Sequence, residues 1–308
     1  MKKLKINCIN TGTVKNIAFG TTLQDLINVF KPELEYPILG AYVNNSLKDL
    51  SFMVCGFCDI EFFDIKNKDG MRMYIRSLNF VLYKAVRDVL PKEAKLHILH
   101  AVSKGYYCEI RDAGVRRSMV EIVRSVKKRM KEIIKEDLDF IKYKTKTEKA
   151  IKIFNKAGLD DKELLLSQRK RIYTSVYKMD GVTNYLHGNL IPSTGYLKTF
   201  NLVQYYDGML LQVPSVEDPT KTKKKVKQRQ LFEVFKEHKS WLSLLNIENV
   251  GKLNHYIENK DESNLIKIAE ALQEKKIVKI AGKIIHSRSK IKVVLISGPS
   301  ASGKTTFS

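Results

Sequence analysis

The sequence has no run of about 20 uncharged apolar residues, the length a membrane helix needs. Its opening, Met1-Lys2-Lys3-Leu4, lacks the apolar core of a signal peptide. Both absences point to a cytoplasmic protein with no membrane partner. Cysteine is scarce: Cys8, Cys55, Cys58 and Cys108 in 308 residues cannot build a disulfide framework, which agrees with a reducing compartment. Cys55-Gly56-Phe57-Cys58 has the spacing of half a zinc or redox site. No second Cys or Cys/His pair follows it and no thioredoxin-like βαβ pattern surrounds it, so it reads as core packing. Acidic residues are also few, 33 against 55 Lys and Arg, for a net charge of +22. Such a surplus suits phosphate neutralisation and therefore RNA, although scattered lysines equally make ordinary solvated faces. Basic residues concentrate on Lys127 to Lys135 and on Lys221, Lys223, Lys224, Lys225, Lys227 and Arg229.

What is present reads as folded. A content of 44% hydrophobic and 29% charged residues is the balance of a globular protein, and 308 residues suffice for two or three domains. Leu4, Ile6 and Cys8 alternate with polar neighbours as a strand does, and a second strand follows at Val14 to Ala18. Gly20-Thr21-Thr22 caps a helix whose Leu23, Leu26, Ile27 and Phe30 share one face; Ile38 to Val43 and Phe57 to Phe63 read as strands. From Ile75 to Val89 apolar residues recur at helical spacing until Pro91 stops them. A strand and turn (Leu96 to Val102, then Gly105-Tyr106-Tyr107) follow, then helices at Ser118 to Asp137 and Thr147 to Ala157 and a tight turn at Pro192-Ser193-Thr194-Gly195. Val216 to Gln230 is nearly devoid of apolar residues and reads as a linker. Leu231 to Leu245, Ile247 to Ile257 and Asn264 to His286 read as helices, the last turning Leu265, Ile268, Leu272, Ile280 and Ile284 inward.

Strand, strand, helix, strand, strand is the order of a β-grasp domain. Phe19-Gly20-Thr21-Thr22-Leu23, Ala41-Tyr42-Val43-Asn44-Asn45 and Asp49-Leu50 resemble the TGS domain at the start of threonyl-tRNA synthetases and some GTPases. That resemblance covers about residues 1 to 65 and implies a regulatory or RNA-contacting role. Residues from about 70 to 215 are similar to the second domain of threonyl-tRNA synthetase, an editing-type module shared with alanyl-tRNA synthetase. The family uses two histidines four apart, then a cysteine and a histidine, to hold a metal or position water. The matching positions here carry Arg76, Phe80, Leu186 and Leu190. None of these ligates zinc or acts as a base at neutral pH, so the resemblance implies the fold without a zinc site or editing chemistry. His187 lies one residue out of register with the expected cysteine.

The motif that carries chemistry is Gly298-Pro299-Ser300-Ala301-Ser302-Gly303-Lys304-Thr305-Thr306, directly after the apolar run Val293-Val294-Leu295-Ile296. Its spacing is that of a P-loop, whose glycines let backbone N–H groups curl around phosphate oxygens. The loop resembles those of uridine kinases and phosphoribulokinases; in one bacterial group it follows a TGS domain, a synthetase-like domain and helices. The resemblance implies an ATP-dependent nucleoside kinase with ATP and Mg²⁺ as cofactors and a pyrimidine nucleoside as partner. Residues 298–306 would cradle the nucleotide, Lys304 would neutralise the transferring phosphoryl group, and Thr305 would hold Mg²⁺.

The expected architecture is therefore an α+β N-terminal half, a TGS domain at 1–66 and a synthetase-like domain at 67–215. A basic linker and helices (216–289) and the first strand and loop of an α/β P-loop kinase (290–308) follow. The remaining sheet, acidic residue, nucleoside pocket and lid would lie beyond Ser308, so an inactive amino-terminal fragment of the kinase is expected. The alternative is an RNA- or tRNA-binding regulatory module derived from threonyl-tRNA synthetase, without editing activity.

Overall fold

The computed structural model describes residues 3–111, 114, 117–259 and 262–307, and the chain divides into two compact units, Met1–Leu245 and Asn246–Ser308. The larger unit begins with a mixed sheet. In β1 (Lys3–Cys8) the period of two is strict, with Leu4, Ile6 and Cys8 buried and Lys3 and Lys5 exposed. The strand β2 (Thr13–Ala18) returns antiparallel to it. Thr22 then caps α1 (Leu23–Phe30): its hydroxyl accepts from Asp25 N while the Asp25 carboxylate reaches back to Thr22 N, a reciprocal capping box. β3 (Gly40–Val43), β4 (Ser46–Lys48) and β5 (Cys58–Phe63) complete a sheet of order β2-β1-β5-β3-β4, with β1 and β5 parallel. Leu23 and Leu26 of α1 are fully buried against Ile6, Ile60 and Phe62. Each such side chain contributes roughly 1.5–3 kcal/mol by leaving water.

The expected strand from Ile38 starts only at Gly40, and an unanticipated strand, β4, follows it. Asn44 and Asn45 explain the difference. Both take left-handed φ (47° and 60°), the two-residue hairpin turn that matches strand twist, so the chain doubles back at once.

The second body of this unit is built on α2 (Lys68–Val89), whose buried face includes Met73, Ser77, Leu78, Phe80, Val81 and Ala85. It packs with α3 (Met119–Lys135) against β6 (Lys95–Val102), β7 (Gly105–Arg111), β11 (Asn201–Tyr205) and β12 (Gly208–Gln212), which form a sheet of order β11-β12-β7-β6. Where a turn was expected at Gly105-Tyr106-Tyr107, β7 begins and runs to Arg111, because Ser103 and Lys104 make the hairpin turn instead (φ 52° and 57°). A second, three-stranded sheet has the order β10-β9-β8, from β8 (Ile141–Lys146), β9 (Tyr173–Met179) and β10 (Val182–Asn184). One of its faces is covered by α4 (Thr147–Lys156) and α5 (Asp160–Ser167) through Ala150, Phe154 and Leu166 on Val176. The N-terminal half is thus the mixed α+β body the sequence leads one to expect.

Composition marks residues 216–230 as a linker, but much of the segment is tied to the four-stranded sheet. Ser215 N donates to Lys221 O (2.8 Å), Gln212 Nε2 to Lys223 O (2.6 Å) and Val226 N to Ser103 Oγ (2.5 Å). Backbone pairing needs no apolar side chains, so composition does not reveal it. The following helix, α6 (Arg229–Leu244), inserts Phe232 between Tyr107, Tyr205 and Leu210.

In the smaller unit, α7 (Val250–Asn259) and α8 (Glu262–His286) form as helices. The inward face expected of α8 does not materialise: none of its described residues is buried. The apolar run before Gly298 also forms no strand, and Val293 and Leu295 are 74% and 89% exposed. A strand needs a neighbour for its N–H and C=O groups, and no described residue pairs with this one. The short α9 (Lys304–Phe307) follows the loop.

Candidate functional site

Two sequence-distant segments meet where the second body's site was expected. The first is α2. Asn67 caps it, its side chain accepting from Asp69 N at 2.8 Å. The Asp69 carboxylate takes the Tyr42 hydroxyl at 2.7 Å and Arg72 Nη1 at 2.9 Å; the Tyr42 bond and then Arg72 hold it below the usual carboxylate range. Arg76 and Phe80, four residues apart, lie on one side of this helix.

The second segment runs from Tyr185 to Gly195 and is held by a dense set of bonds. Buried Ser77 of α2 accepts from Ile191 N at 3.1 Å while donating to Met73 O at 2.9 Å. Thr194 Oγ1 donates to Ile133 O and accepts from Leu138 N, both at 2.8 Å. The Asp137 carboxylate takes the Ser193 hydroxyl and Gly195 N–H.

The Tyr185–Gly195 segment thereby lies on α2 at Arg76, with Phe80, Leu190 and part of Leu186 in the same core, and the space at Arg76 is filled. Arg76 Nη1 donates to Asn189 O at 2.5 Å, and a Cβ on Gly188 would lie 2.8 Å from the Arg76 guanidinium carbon. Gly188 has φ +107°, so the guanidinium lies where only a bare backbone leaves room. Burial pulls the Arg76 pKa down from its ordinary value, but a guanidinium stays charged at neutral pH and donates without accepting. Phe80 is 0% exposed, its ring 5.9 Å from Phe140, and Leu190 is 1% exposed; Leu186 packs partly buried on the same core. Tyr177 closes the floor, donating to Gly188 O at 3.2 Å, and burial pushes its phenol far up. His187 is exposed, and no group of three or more metal-ligating side chains occurs among the described residues. The donor set does not fit zinc.

Beside this filled site lies a cleft of about 470 Å³ that the sequence does not announce. Lys142 Nζ bridges Asp49 Oδ2 (2.9 Å) and Asn189 Oδ1 (2.7 Å) across it, and Asn189 Nδ2 donates to Leu47 O at 3.2 Å. The cleft therefore joins the first body to the second. Cys55 lines it and is exposed, whereas Cys58 is half-buried and packs against the core of the first sheet, so the expected core packing holds for one cysteine of the pair; Phe57 between them is turned outward.

In the loop from Gly298 to Thr306, Lys304 Nζ donates to Gly298 O (2.9 Å) and Pro299 O (2.6 Å), folding the ammonium back over the loop. Gly303 takes φ +73°, a conformation that favours glycine, while a Cβ at Gly298 would meet Ser302 Oγ at 2.7 Å, a side-chain atom free to turn aside. By residue type the loop offers an ammonium at Lys304 and a hydroxyl at Thr305, the groups that phosphate and Mg²⁺ chemistry calls for. The basic positions at Lys221 to Arg229 are partly neutralised, Lys221 by Asp218 and Lys223 by Glu217. Arg129 in the middle of the basic helix is likewise held by Asp88, Glu132 and Glu136.

Comparison with known proteins places the chain beside threonine-tRNA ligases. It is 26% identical over 195 residues to that of Clostridioides difficile and 28% identical over 196 residues to that of Desulforamulus reducens, in each case 63% of this chain and 30% of the ligase. The ligase of Carboxydothermus hydrogenoformans is 27% identical over 219 residues, 68% of this chain and 34% of the ligase. The chain thus spans about a third of the length of the curated relatives it matches. No family model matches it. Among the described residues no helix is long and apolar enough to cross a membrane.

Proposed function

We propose that residues 1–215 are an RNA-binding module of synthetase type, with tRNA or a tRNA-like RNA as partner and with no editing activity. In this reading the first sheet is a TGS domain of β-grasp form and the second body is the synthetase-like domain. The observation that carries it is the similarity to threonine-tRNA ligases along 63% of the chain, joined to a site whose four reactive positions are Arg76, Phe80, Leu186 and Leu190. An editing hydrolase needs a base or a metal-bound water; a guanidinium over a buried Phe and Leu supplies neither. Retaining the fold while filling the site leaves binding as its use.

Two outcomes test the reading. Fluorescence anisotropy with labelled tRNA should detect binding that weakens at least tenfold between about 50 and 200 mM salt, because each neutralised phosphate releases counterion. Affinity independent of salt, or no binding at low salt, overturns it. Elemental analysis should find no stoichiometric zinc, and mischarged threonine tRNA should be deacylated no faster than in buffer; one zinc per chain or measurable turnover would show that other residues had rebuilt the site.

A second reading is favoured by one specific observation, the complete pattern from Gly298 to Thr306. It makes the RNA-binding module an appendage of an ATP- and Mg²⁺-dependent nucleoside kinase, with uridine or cytidine as acceptor. Lys304 would bind the β- and γ-phosphates and Thr305 the metal, which would neutralise the charge that develops on the transferred group.

A further inference from the structure

The uncovered face of the three-stranded sheet is basic and aromatic at once. Lys142, Lys144 and Lys146 alternate along β8 and so project to one side, and the pairing places them opposite Tyr177, Ser175 and Tyr173 of β9. The reverse side is the one that α4 and α5 cover, through Tyr143 and Val176. At one end of the lysine face Tyr177 and Met179 are buried in the main core; at the other, Ser175 is exposed and Tyr173 is 49% exposed. Lys144 Nζ stands 5.1 Å from the Tyr173 ring centroid and Lys142 Nζ 5.8 Å from that of Tyr177. Of the three lysines only Lys142 is in an ion pair among the described residues, with Asp49. Neither β8 nor β9 contains an acidic residue. The strip ends at the 470 Å³ cleft, where Lys48 Nζ lies 5.0 Å from the Phe52 ring and Met53 is exposed.

We propose that this face, running from Lys146 and Tyr173 at one end past Lys144 to the Phe52 cleft at the other, is a docking track for single-stranded RNA. The proposal rests on the RNA-binding reading above and says where the strand lies. Charge complementarity selects the occupant: unpaired ammonium groups meet backbone phosphates, and the rings between them offer stacking surfaces to unpaired bases. The four residue steps of strand from Lys142 to Lys146 span about 13 Å, enough for a short extended segment. A duplex fits less well, since its bases are already stacked on one another and leave nothing for Tyr173 or Phe52 to hold. The lysines of 221–227 are a poorer candidate because Asp218 and Glu217 already engage two of them.

The test uses the whole chain and fluorescein-labelled oligo(U) and oligo(A), titrated by anisotropy over a range of salt. The variants are Lys144→Glu/Lys146→Glu, its milder partner Lys144→Gln/Lys146→Gln, Tyr173→Ala, and the charge-matched control Lys275→Glu/Lys279→Glu on α8. The charge variants should weaken binding at least tenfold; the Gln pair should also flatten the plot of log affinity against log salt by about 1.4, two phosphates at about 0.7 each. Tyr173→Ala should weaken binding by about five- to a hundredfold yet leave the salt slope unchanged, because stacking releases no counterion. The control should match the parent. If the parent binds oligonucleotide or tRNA and the Lys144 and Lys146 variants bind as tightly as the control, the track is wrong while the RNA-binding reading stands. If the parent binds neither RNA, or binds only anionic vesicles, both fail. Circular dichroism checks that each variant folds; should the Glu pair unfold, the Gln pair decides alone.

Discussion

Exchanging Gly70 for alanine should destabilise the larger unit by on the order of 3 kcal/mol, against the usual sign of this substitution in a helix. Within a helix, Gly→Ala normally gains about 1 kcal/mol. Gly70 lies in the first turn of α2 with no left-handed φ to require glycine, so propensity alone predicts a gain. Packing reverses it. A Cβ there would fall far inside van der Waals distance of the Asp64 carbonyl oxygen and 2.9 Å from its carbon, both backbone atoms that no rotamer change can move. Asp64 is itself held, its carboxylate accepting from Lys66 N at 2.8 Å and from Tyr36 N at 3.2 Å. The helix start must lift, pulling Asn67 and Asp69 from Tyr42 and loosening the helix that carries Arg76 and Phe80. Thermal unfolding should shift down by about 6–12 °C for a unit of this size. Gly282→Ala on α8, where nothing lies within 4 Å, is the internal comparison and should be neutral or stabilising. A Gly70→Ala protein that melts at or above the parent would mean that the close approach of α2 to the end of β5 is not a feature of the folded protein.

What could be read in advance, and what could not, follows from where the determining forces lie. β1, α1 and α2 were legible because each buries one face against a core, and the period of two or 3.6 is written in Leu4, Ile6 and Cys8 or in Leu78, Leu82 and Val86. β12 was not. All five of its residues are buried, so Gly208–Gln212 shows no alternation. β8 hid for the opposite reason: its exposed lysines interleave with only half-buried Tyr143 and Thr145, and nothing in that pattern reads as a core. The strand expected at Val293 to Ile296 has the right composition, but apolar residues make a strand only beside a partner. The surroundings of Arg76 divide the same way. The sequence offers Arg76, Phe80, Leu186 and Leu190 as matching positions only through the family resemblance. The Arg76 bond to Asn189 and the Lys142 bridge to Asp49 depend on segments 113 and 93 residues apart and could come only from the fold.

On the proposed kinase reading, Lys304→Ala in the kinase-competent polypeptide should cut Mg²⁺-dependent phosphorylation of uridine by on the order of a hundredfold or more. The size follows from when the lysine acts. Charge on the transferring phosphoryl group is redistributed toward the leaving oxygens as the bond breaks, so a cation at the β- and γ-phosphates interacts more strongly in the transition state than with bound ATP. The loss should therefore fall on kcat, with the KM for uridine little changed, since no uridine contact is removed. A structural role must be separated from this one, because Lys304 also donates to Gly298 O and Pro299 O and helps to close the loop. Lys304→Arg makes the separation: it keeps a cation and donors for those carbonyls but changes the fit to phosphate. A loop-closing role predicts that arginine restores the melting temperature and the rate together; a transition-state role predicts restored stability with the rate still depressed. If no uridine or cytidine is phosphorylated by the parent, or if Lys304→Ala remains within a few-fold of it, the kinase reading fails. The RNA-binding reading survives that failure, since it depends on residues 1–215 and on none of the loop.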